Sequence, residues 1–376
     1  PGDKGQNKAR HGSRVCGRNA GMKQAEHPMT LSEIRPSPLG AQAMSSKLPV
    51  ALVVAGPTCS GKSALALSVA RALADGGMGA QKGWVGATII NADSMQVYED
   101  LRVLTARPSV AEEQMVPHRL YGVLPASSTG SVAWWRGCAL EAMEEAWRAG
   151  RLPVLCGGTG LYFRALTHGL AAIPECPQAV RDEARQAVAE EGAPALHARL
   201  ASVDPETAAR LQPADSQRIT RAWEVWRATG RSLSWWQAQP GLPPAACRFA
   251  AVRLAPDRAA LRARIQARFE AMLAAGAVDE VRALLAQRLD PALPAMRAHG
   301  VPELTAMLEG RITQDEATRL AVQATGRYTK RQATWFAHHA LAEPDRTCKV
   351  DTCFEHIAQF SERKLHEIIS FIFRSA

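Results

Sequence analysis

No two of the eight cysteines form a C-x-x-C pair, and no uninterrupted apolar run approaches the roughly 20 residues that a membrane span requires. The cysteines (Cys16, Cys59, Cys138, Cys156, Cys176, Cys247, Cys348 and Cys353) are scattered. Cys59 sits inside a glycine-rich turn and Cys156 ends an apolar run, and neither place suits a disulfide or a zinc site. These absences predict a soluble, cytoplasmic protein with reduced thiols and no membrane contact. The body of the chain also lacks a strong charge of one sign. Residues 1–50 hold eight Lys/Arg against three Asp/Glu, which leaves only +4 of the net +9 for the other 326 residues. A modest basic excess suits a polyanionic partner and equally suits an ordinary basic surface.

What is present begins at Val54. "VAGPTCSGKSALAL" contains Gly56, Pro57, Thr58, Cys59, Ser60, Gly61, Lys62 and Ser63, the phosphate-loop pattern G-x-x-x-x-G-K-[ST]. It follows the apolar run Val50–Ala55 and opens a segment of helical periodicity over Ser63–Ala74. In that setting backbone N–H groups and a helix N-terminus converge on a phosphate, Lys62 adds charge, and Ser63 offers a ligand to Mg²⁺. The pattern leaves open whether the phosphate is that of ATP or another diphosphate.

Strands are expected at Val50–Ala55, Ala87–Asn91 and Pro153–Cys156, with a helix over Ala133–Ala149, and strand character returns at Arg248–Leu254. Alternating strands and helices predict a parallel sheet. From about Pro177 to Gln239 the pattern is purely helical, with Asp204-Pro205 and Asp215 as helix starts and Gly230 as a stop. Long helices are expected from Arg258 to Gly276 and from Thr313 to about His338, with Thr313 and Glu316 as a capping box. The predicted fold class is α/β: a P-loop NTPase-like parallel core interrupted by a helical insertion. The divisions are a disordered basic extension at 1–46, core at 47–175, insertion at 176–247, core with C-terminal helices at 248–345, and a tail at 346–376. The natural start is expected near Met44. In the tail, Phe354, Ile357, Leu365, Ile368 and Ile372 have loosely helical spacing, and the segment is assigned no function.

Four further constellations can carry chemistry. Asp93 follows a strand and leads into Ser94-Met95-Gln96-Val97-Tyr98. A carboxylate there can hold Mg²⁺, act as a general base, or cap the next turn. "GGTGLYFRAL" (Gly157 to Leu166) is a second glycine-rich turn after a strand, with Thr159 offering a hydroxyl at the same end of the sheet. Gln217, Arg218 and Arg221 share one helix side while Ile219, Trp223 and Trp226 share another; Arg327, Lys330 and Arg331 alternate with Tyr328, Trp335 and Phe336. Basic groups with aromatics suit RNA, and also suit a solvated face over core aromatics. Arg264 and Arg268, four apart, can reach a second phosphate or merely coat a helix.

From Leu48 to His339 the chain resembles the tRNA dimethylallyltransferases, also called tRNA isopentenyltransferases. The resemblance rests on "GPTCSGKS", "DSMQVY", "LTARPS", "PHRLYGV", "GGTGLYFRAL", "DSQRITRAWEV", "MRAHGVPEL" and "RYTKRQATWF", in the family's order. It implies transfer of a dimethylallyl group from dimethylallyl diphosphate to N6 of the adenosine next to the anticodon, position 37. Mg²⁺ would be the cofactor and the base would be flipped into the cleft. It implies that Asp93 is the general base, with Lys62 and Thr159 also catalytic. Gly56 to Ser63, with Thr105 and Arg268, would bind the diphosphate, and Ser63 and Asp93 the metal. The anticodon stem-loop would be gripped by Asp93, Ser94, Met95, Gln96, Thr159, Arg181, Gln217, Arg218, Ile219, Thr220, Arg221, Arg297, Gly300, Lys330, Arg331 and Gln332. No obligate protein partner is implied.

The chain departs from the family pattern in three places. Arg107 replaces the usual lysine after "TA", a glycine is missing before Thr105, and His299 stands where an aliphatic residue is usual. Three rivals make different predictions: an adenylate isopentenyltransferase acting on a free nucleotide, an ATP-dependent kinase, and an RNA-binding module with a vestigial loop.

Overall fold

The structure, a computed structural model, describes residues 48–74, 82–354 and 362–375. The expected basic extension, the expected start at Met44 and the apolar position Ile357 lie outside the described residues.

Six strands form one sheet in the order β3-β2-β4-β1-β5-β6, with every adjacent pair parallel. They are β1 (Val50–Ala55), β2 (Ala87–Asn91), β3 (His118–Arg119), β4 (Leu152–Gly157), β5 (Arg248–Leu254) and β6 (Thr347–Val350). The near-continuous apolar run of β1 is what a strand covered on both faces requires. Its alternate residues serve two cores. Ala51, Val53 and Ala55 face one layer, while Val50, Leu52 and Val54 face the other.

The first layer comprises α3 (Val132–Arg148), α4 (Gly160–Thr167), α10 (Arg258–Ala274), α11 (Ala277–Ala286), α12 (Val301–Leu308) and α13 (Gln314–His338). The second is built on α1 (Lys62–Ala74) and α14 (Glu362–Ser375), whose Ile368 and Ile372 are buried against the sheet. The tail thus contributes a strand and a helix to the core. Strand β6 has only four residues and owes its form to pairing with β5, so no periodicity reveals it. The same holds for the two-residue β3. A short helix, α2 (Val110–Met115), starts at a complete capping box formed by Ser109 and Glu112.

The insertion consists of α5 (Gln178–Glu191), α6 (Ala193–Val203), α7 (Pro205–Arg210), α8 (Ser216–Thr229) and α9 (Leu233–Ala238) around its own core of Leu196, Leu200, Ile219 and Trp223. Asp204 and Asp215 cap α7 and α8, and Gly230 ends α8 in the left-handed conformation. Its entry and exit segments meet as an antiparallel bridge between Leu170 and Leu242. Arg136 fastens that root, donating to the carbonyls of Ala165 and Pro243.

At Thr313 the expected capping box is half formed. Its hydroxyl accepts from the Glu316 amide, but the Glu316 carboxylate turns outward to Arg319.

Candidate active site

The phosphate loop, the Asp93 turn and the Thr159 turn follow β1, β2 and β4, neighbours in the sheet, and so meet at their carboxyl ends, where open α/β sheets bind ligands. Within the loop the backbone turns sharply. Cys59 has φ 66° and Gly61 φ 88°, and a β-carbon on Gly61 would lie 1.8 Å from the Phe354 carbonyl. The tail therefore rests on the loop, and the Phe354 amide donates to Ser60 O. Arg264 also braces the loop, donating to the carbonyls of Cys59 and Phe354. Spacing left its role open; the structure places it under the loop. Arg268 lies between Cys59 Sγ and the Thr105 carbonyl. Lys62 is buried, Ser63 is exposed, and the fully buried Ser60 hydroxyl has no hydrogen-bond partner among the described residues.

Asp93 is held by an Asx-type turn. Its amide donates to Asn91 Oδ1, and its Oδ1 accepts from the Met95 amide at 3.0 Å. Asn91, wholly buried, also donates to the carbonyls of Asp93 and Leu120. Thr159 Oγ1 accepts from the Ser94 amide at 2.9 Å and lies 3.3 Å from Ser94 Oγ, tying the two turns together. Gln332 joins the third, accepting from the Thr58 amide and donating to Gly158 O.

Around this junction stand the chain's only four tyrosines. Burial raises the phenols of Tyr121, Tyr162 and Tyr328, and the Asp93 charge adds to the effect at each. Tyr98 is raised by burial as well. Hydrogen bonds with Thr159 and Gln332 work against the rise at Tyr328. Tyr162 stacks on the buried Trp135 at 4.1 Å between ring centroids. Burial pushes the Cys156 thiol up to about 11, opposed by the Lys62 charge and a hydrogen bond with Ser63, and reinforced by Asp93. One thiol thus senses the loop lysine, its serine and the Asp93 carboxylate together. The sequence reading named Tyr98 and Tyr328 but neither Tyr121 nor Tyr162, yet all four lie inside the quoted motifs, and a scarce residue confined to motifs is a usable signal.

A cavity of about 240 Å³ opens beside Ser63, lined among others by Arg107, Glu112, His118 and Tyr121. The Arg107 guanidinium packs over Gly122 and donates to the carbonyls of Tyr98 and Glu99, while its Nε has no partner among the described residues. Glu280 receives the amides of Arg102, Val103 and Leu104, fixing the segment that leads to Thr105. The Thr105 hydroxyl donates to Leu101 O, so its proton serves the turn and is not offered to a phosphate.

Several expected RNA contacts lie inside instead. Gln96 is buried and donates to the carbonyls of Thr105 and Ala106; Gln332 is the buried clamp just described; Ile219 belongs to the insertion core. These three support the surface without forming it. Gly300 is buried at φ 98°, and Thr220 donates to Ser216 O within its helix. Met95 is partly buried and packs against the larger core. On the outside, Arg297, Lys330 and Arg331 are exposed, and Arg331 lies over the Tyr328 ring. Gln217, Arg218 and Arg221 are exposed on α8, where Arg218 pairs with Asp215 and Arg221 with Glu224. Arg181 pairs with Glu175.

For Mg²⁺, the available donors are the Ser63 hydroxyl and the Asp93 carboxylate, both hard oxygen ligands. Among the described residues no three His, Cys, Asp or Glu side chains converge as a metal cage. That donor set fits an ion held by one or two protein oxygens with diphosphate and water completing its shell.

The family model described as IPP transferase matches residues 96–339. A tRNA dimethylallyltransferase of Gluconobacter oxydans is 58% identical over 86% of this chain and 93% of its own length. One from Gluconacetobacter diazotrophicus is 60% identical over 85% and 93%. The crystal structure of a tRNA isopentenylpyrophosphate transferase from Bacillus halodurans covers 88% of this chain and 97% of its own, at 29% identity and a TM-score of 0.59. A eukaryotic dimethylallyltransferase crystallised acting on tRNA shares the fold at a TM-score of 0.68 and 22% identity, over 87% and 80%. With matches of this identity and extent, the chain belongs to the tRNA dimethylallyltransferase family.

Proposed function

We propose that this enzyme transfers the dimethylallyl group of dimethylallyl diphosphate to N6 of the adenosine at position 37, next to the anticodon of tRNA. The observation that carries the proposal is the joining of three turns at one end of the sheet: the Asp93 turn bonds Thr159 through the Ser94 amide, and Gln332 bonds both Thr58 in the phosphate loop and Gly158.

In the reaction the N6 nitrogen attacks C1 of the dimethylallyl group and the C1–O bond breaks. Pyrophosphate takes the bonding electrons, and the N6 proton passes to the Asp93 carboxylate. Fixing Oδ1 in the turn leaves Oδ2 to accept that proton. Lys62 and the loop amides stabilise the charge that develops on the leaving group. Mg²⁺ bound at Ser63 and Asp93 would supply further neutralisation of the diphosphate.

The target base must leave its stack to reach Asp93, as for other base-modifying enzymes. In this reading Thr159 and Tyr328 position it, and Lys330, Arg331 and Arg297, which are exposed, hold the surrounding backbone. The test is transfer to unmodified tRNA in the presence of dimethylallyl diphosphate and Mg²⁺. Loss of the product on chelation, with recovery on adding Mg²⁺ back, supports the metal assignment; full activity in chelator contradicts it.

A further inference from the structure

A second cavity, of about 210 Å³, lies between the C-terminal ends of α4 and α13 and is lined by Arg164, His168, Trp335, His338, His339 and Ala340. No carboxylate among the described residues lines it. Among the described residues neither the Arg164 guanidinium nor the His338 ring has a hydrogen-bond or ion-pair partner.

Two of its histidines have assignable tautomers. The Thr167 hydroxyl donates to Phe163 O, so its oxygen accepts from His168 Nδ1 at 2.7 Å. His339 Nδ1 lies 2.8 Å from the Trp335 carbonyl, which can only accept. Each ring therefore carries its proton on Nδ1, and its uncommitted Nε2 accepts a hydrogen bond when neutral. His339 also stacks on Trp335, with centroids 4.2 Å apart and planes within 2°.

This combination is selective. A guanidinium suits a phosphate, acceptor nitrogens suit a hydroxyl or exocyclic amine, and paired rings border a base. The cavity is also coupled to the reaction site. The Trp335 indole lies against Gly160, where an added β-carbon would sit 2.3 Å from the ring, and Gly160 follows Thr159. From Gly160 to Arg164 helix α4 rises about 6 Å, a distance that one or two nucleotides of extended strand cover.

We propose that this cavity binds one ribonucleotide of the substrate RNA next to the reacting adenosine, with Arg164 on its phosphate and His168 or His339 accepting from its 2′-hydroxyl. The proposal rests on the tRNA-modifying reading above.

The test measures binding of a fluorescent anticodon stem-loop to the full chain by anisotropy, across a salt series. Arg164→Ala with His168→Ala should weaken binding about tenfold and make the salt dependence shallower by about one phosphate. Both side chains are exposed, and an unchanged unfolding midpoint checks that the fold is intact. Arg148→Ala is the control. Arg148 ends α3 beside Trp147, which donates to Val50 O at the amino-terminal end of the strands, opposite the site. A stem-loop with single 2′-deoxy substitutions flanking the target should bind the wild type more weakly, and the double variant should lose that discrimination.

A double variant indistinguishable from Arg148→Ala overturns the proposal. So does AMP binding in the cavity with RNA affinity untouched, because the ligand would then be a free nucleotide. Dimethylallyl transfer by the wild type is followed in parallel. Transfer with no binding defect in the variant removes only the cavity assignment, whereas a wild type that neither binds nor modifies the stem-loop removes both readings.

Discussion

The side-chain carbonyl of Gln332 accepts a 2.8 Å hydrogen bond from the Thr58 amide, across 274 residues of chain. The Gln332 side-chain Nε2 donates to Gly158 O at 2.9 Å, so one buried side chain on α13 fixes both glycine-rich turns. Gln332→Ala leaves a backbone donor and acceptor unpaired, at about 1–3 kcal/mol each where water cannot replace the partner. A loss of stability of a few kcal/mol is expected in chemical denaturation. Gln332→Glu keeps the bond from Thr58 but sets a carboxylate against the Gly158 carbonyl, and should raise the KM for dimethylallyl diphosphate. A variant as stable and active as the wild type would remove Gln332 from the clamp.

Asp93→Asn preserves the shape of the turn and removes the proton acceptor. Transfer should fall by about 10²–10⁴-fold, while anisotropy reports tRNA affinity within a few-fold of the wild type. Activity within tenfold of the wild type would mean that another group takes the N6 proton.

His118 and His299 are both held below the ordinary histidine value of 6.5, chiefly by burial. At His299, Arg331 and Arg327 reinforce the effect, while Glu303 and Asp93 oppose it. At His118 a hydrogen bond to the Val116 carbonyl and the charges of Glu113 and Glu112 oppose it. Below about pH 6.5 the unfolded chain therefore binds protons that the folded protein resists. Stability should fall as pH drops from 7 toward 5, and the decline should end once the folded histidines protonate. His299→Leu should make this decline shallower in urea unfolding measured at each pH. An identical slope in the variant would contradict the assignment.

On α8, Arg218 and Arg221 are exposed and pair with the neighbouring acids Asp215 and Glu224, contacts worth little in water, and Arg221 also donates to Cys176 Sγ. Their joint replacement by alanine should weaken tRNA binding and flatten its salt dependence, with the deficit largest at low salt. Unchanged affinity at low salt would leave this face as ordinary solvated surface.

Much of this architecture is legible in the sequence, because it rests on local signals. Val50–Ala55, Ala87–Asn91 and Arg248–Leu254 are apolar runs with the lengths of buried strands, and Asp204, Asp215 and Gly230 are caps whose chemistry is local. The remainder depends on partners distant in the chain. Arg264 could not be assigned from spacing, since its acceptors are the carbonyls of Cys59 and Phe354. Glu280 gathers three amides from a loop more than 170 residues earlier. Gln96 and Gln332 stand in motifs associated with tRNA, yet both turn inward, because a glutamine in a motif can hold a loop as readily as it can touch a ligand.

The central claim is tested most directly by nucleoside mass spectrometry. The purified protein is incubated with unmodified tRNA, dimethylallyl diphosphate and Mg²⁺, with AMP and ATP offered in parallel reactions. The account predicts a dimethylallyl mass on adenosine at position 37 of the tRNA and none on the free nucleotides. Label on AMP or ATP, or phosphoryl transfer from ATP without prenylation, would contradict it.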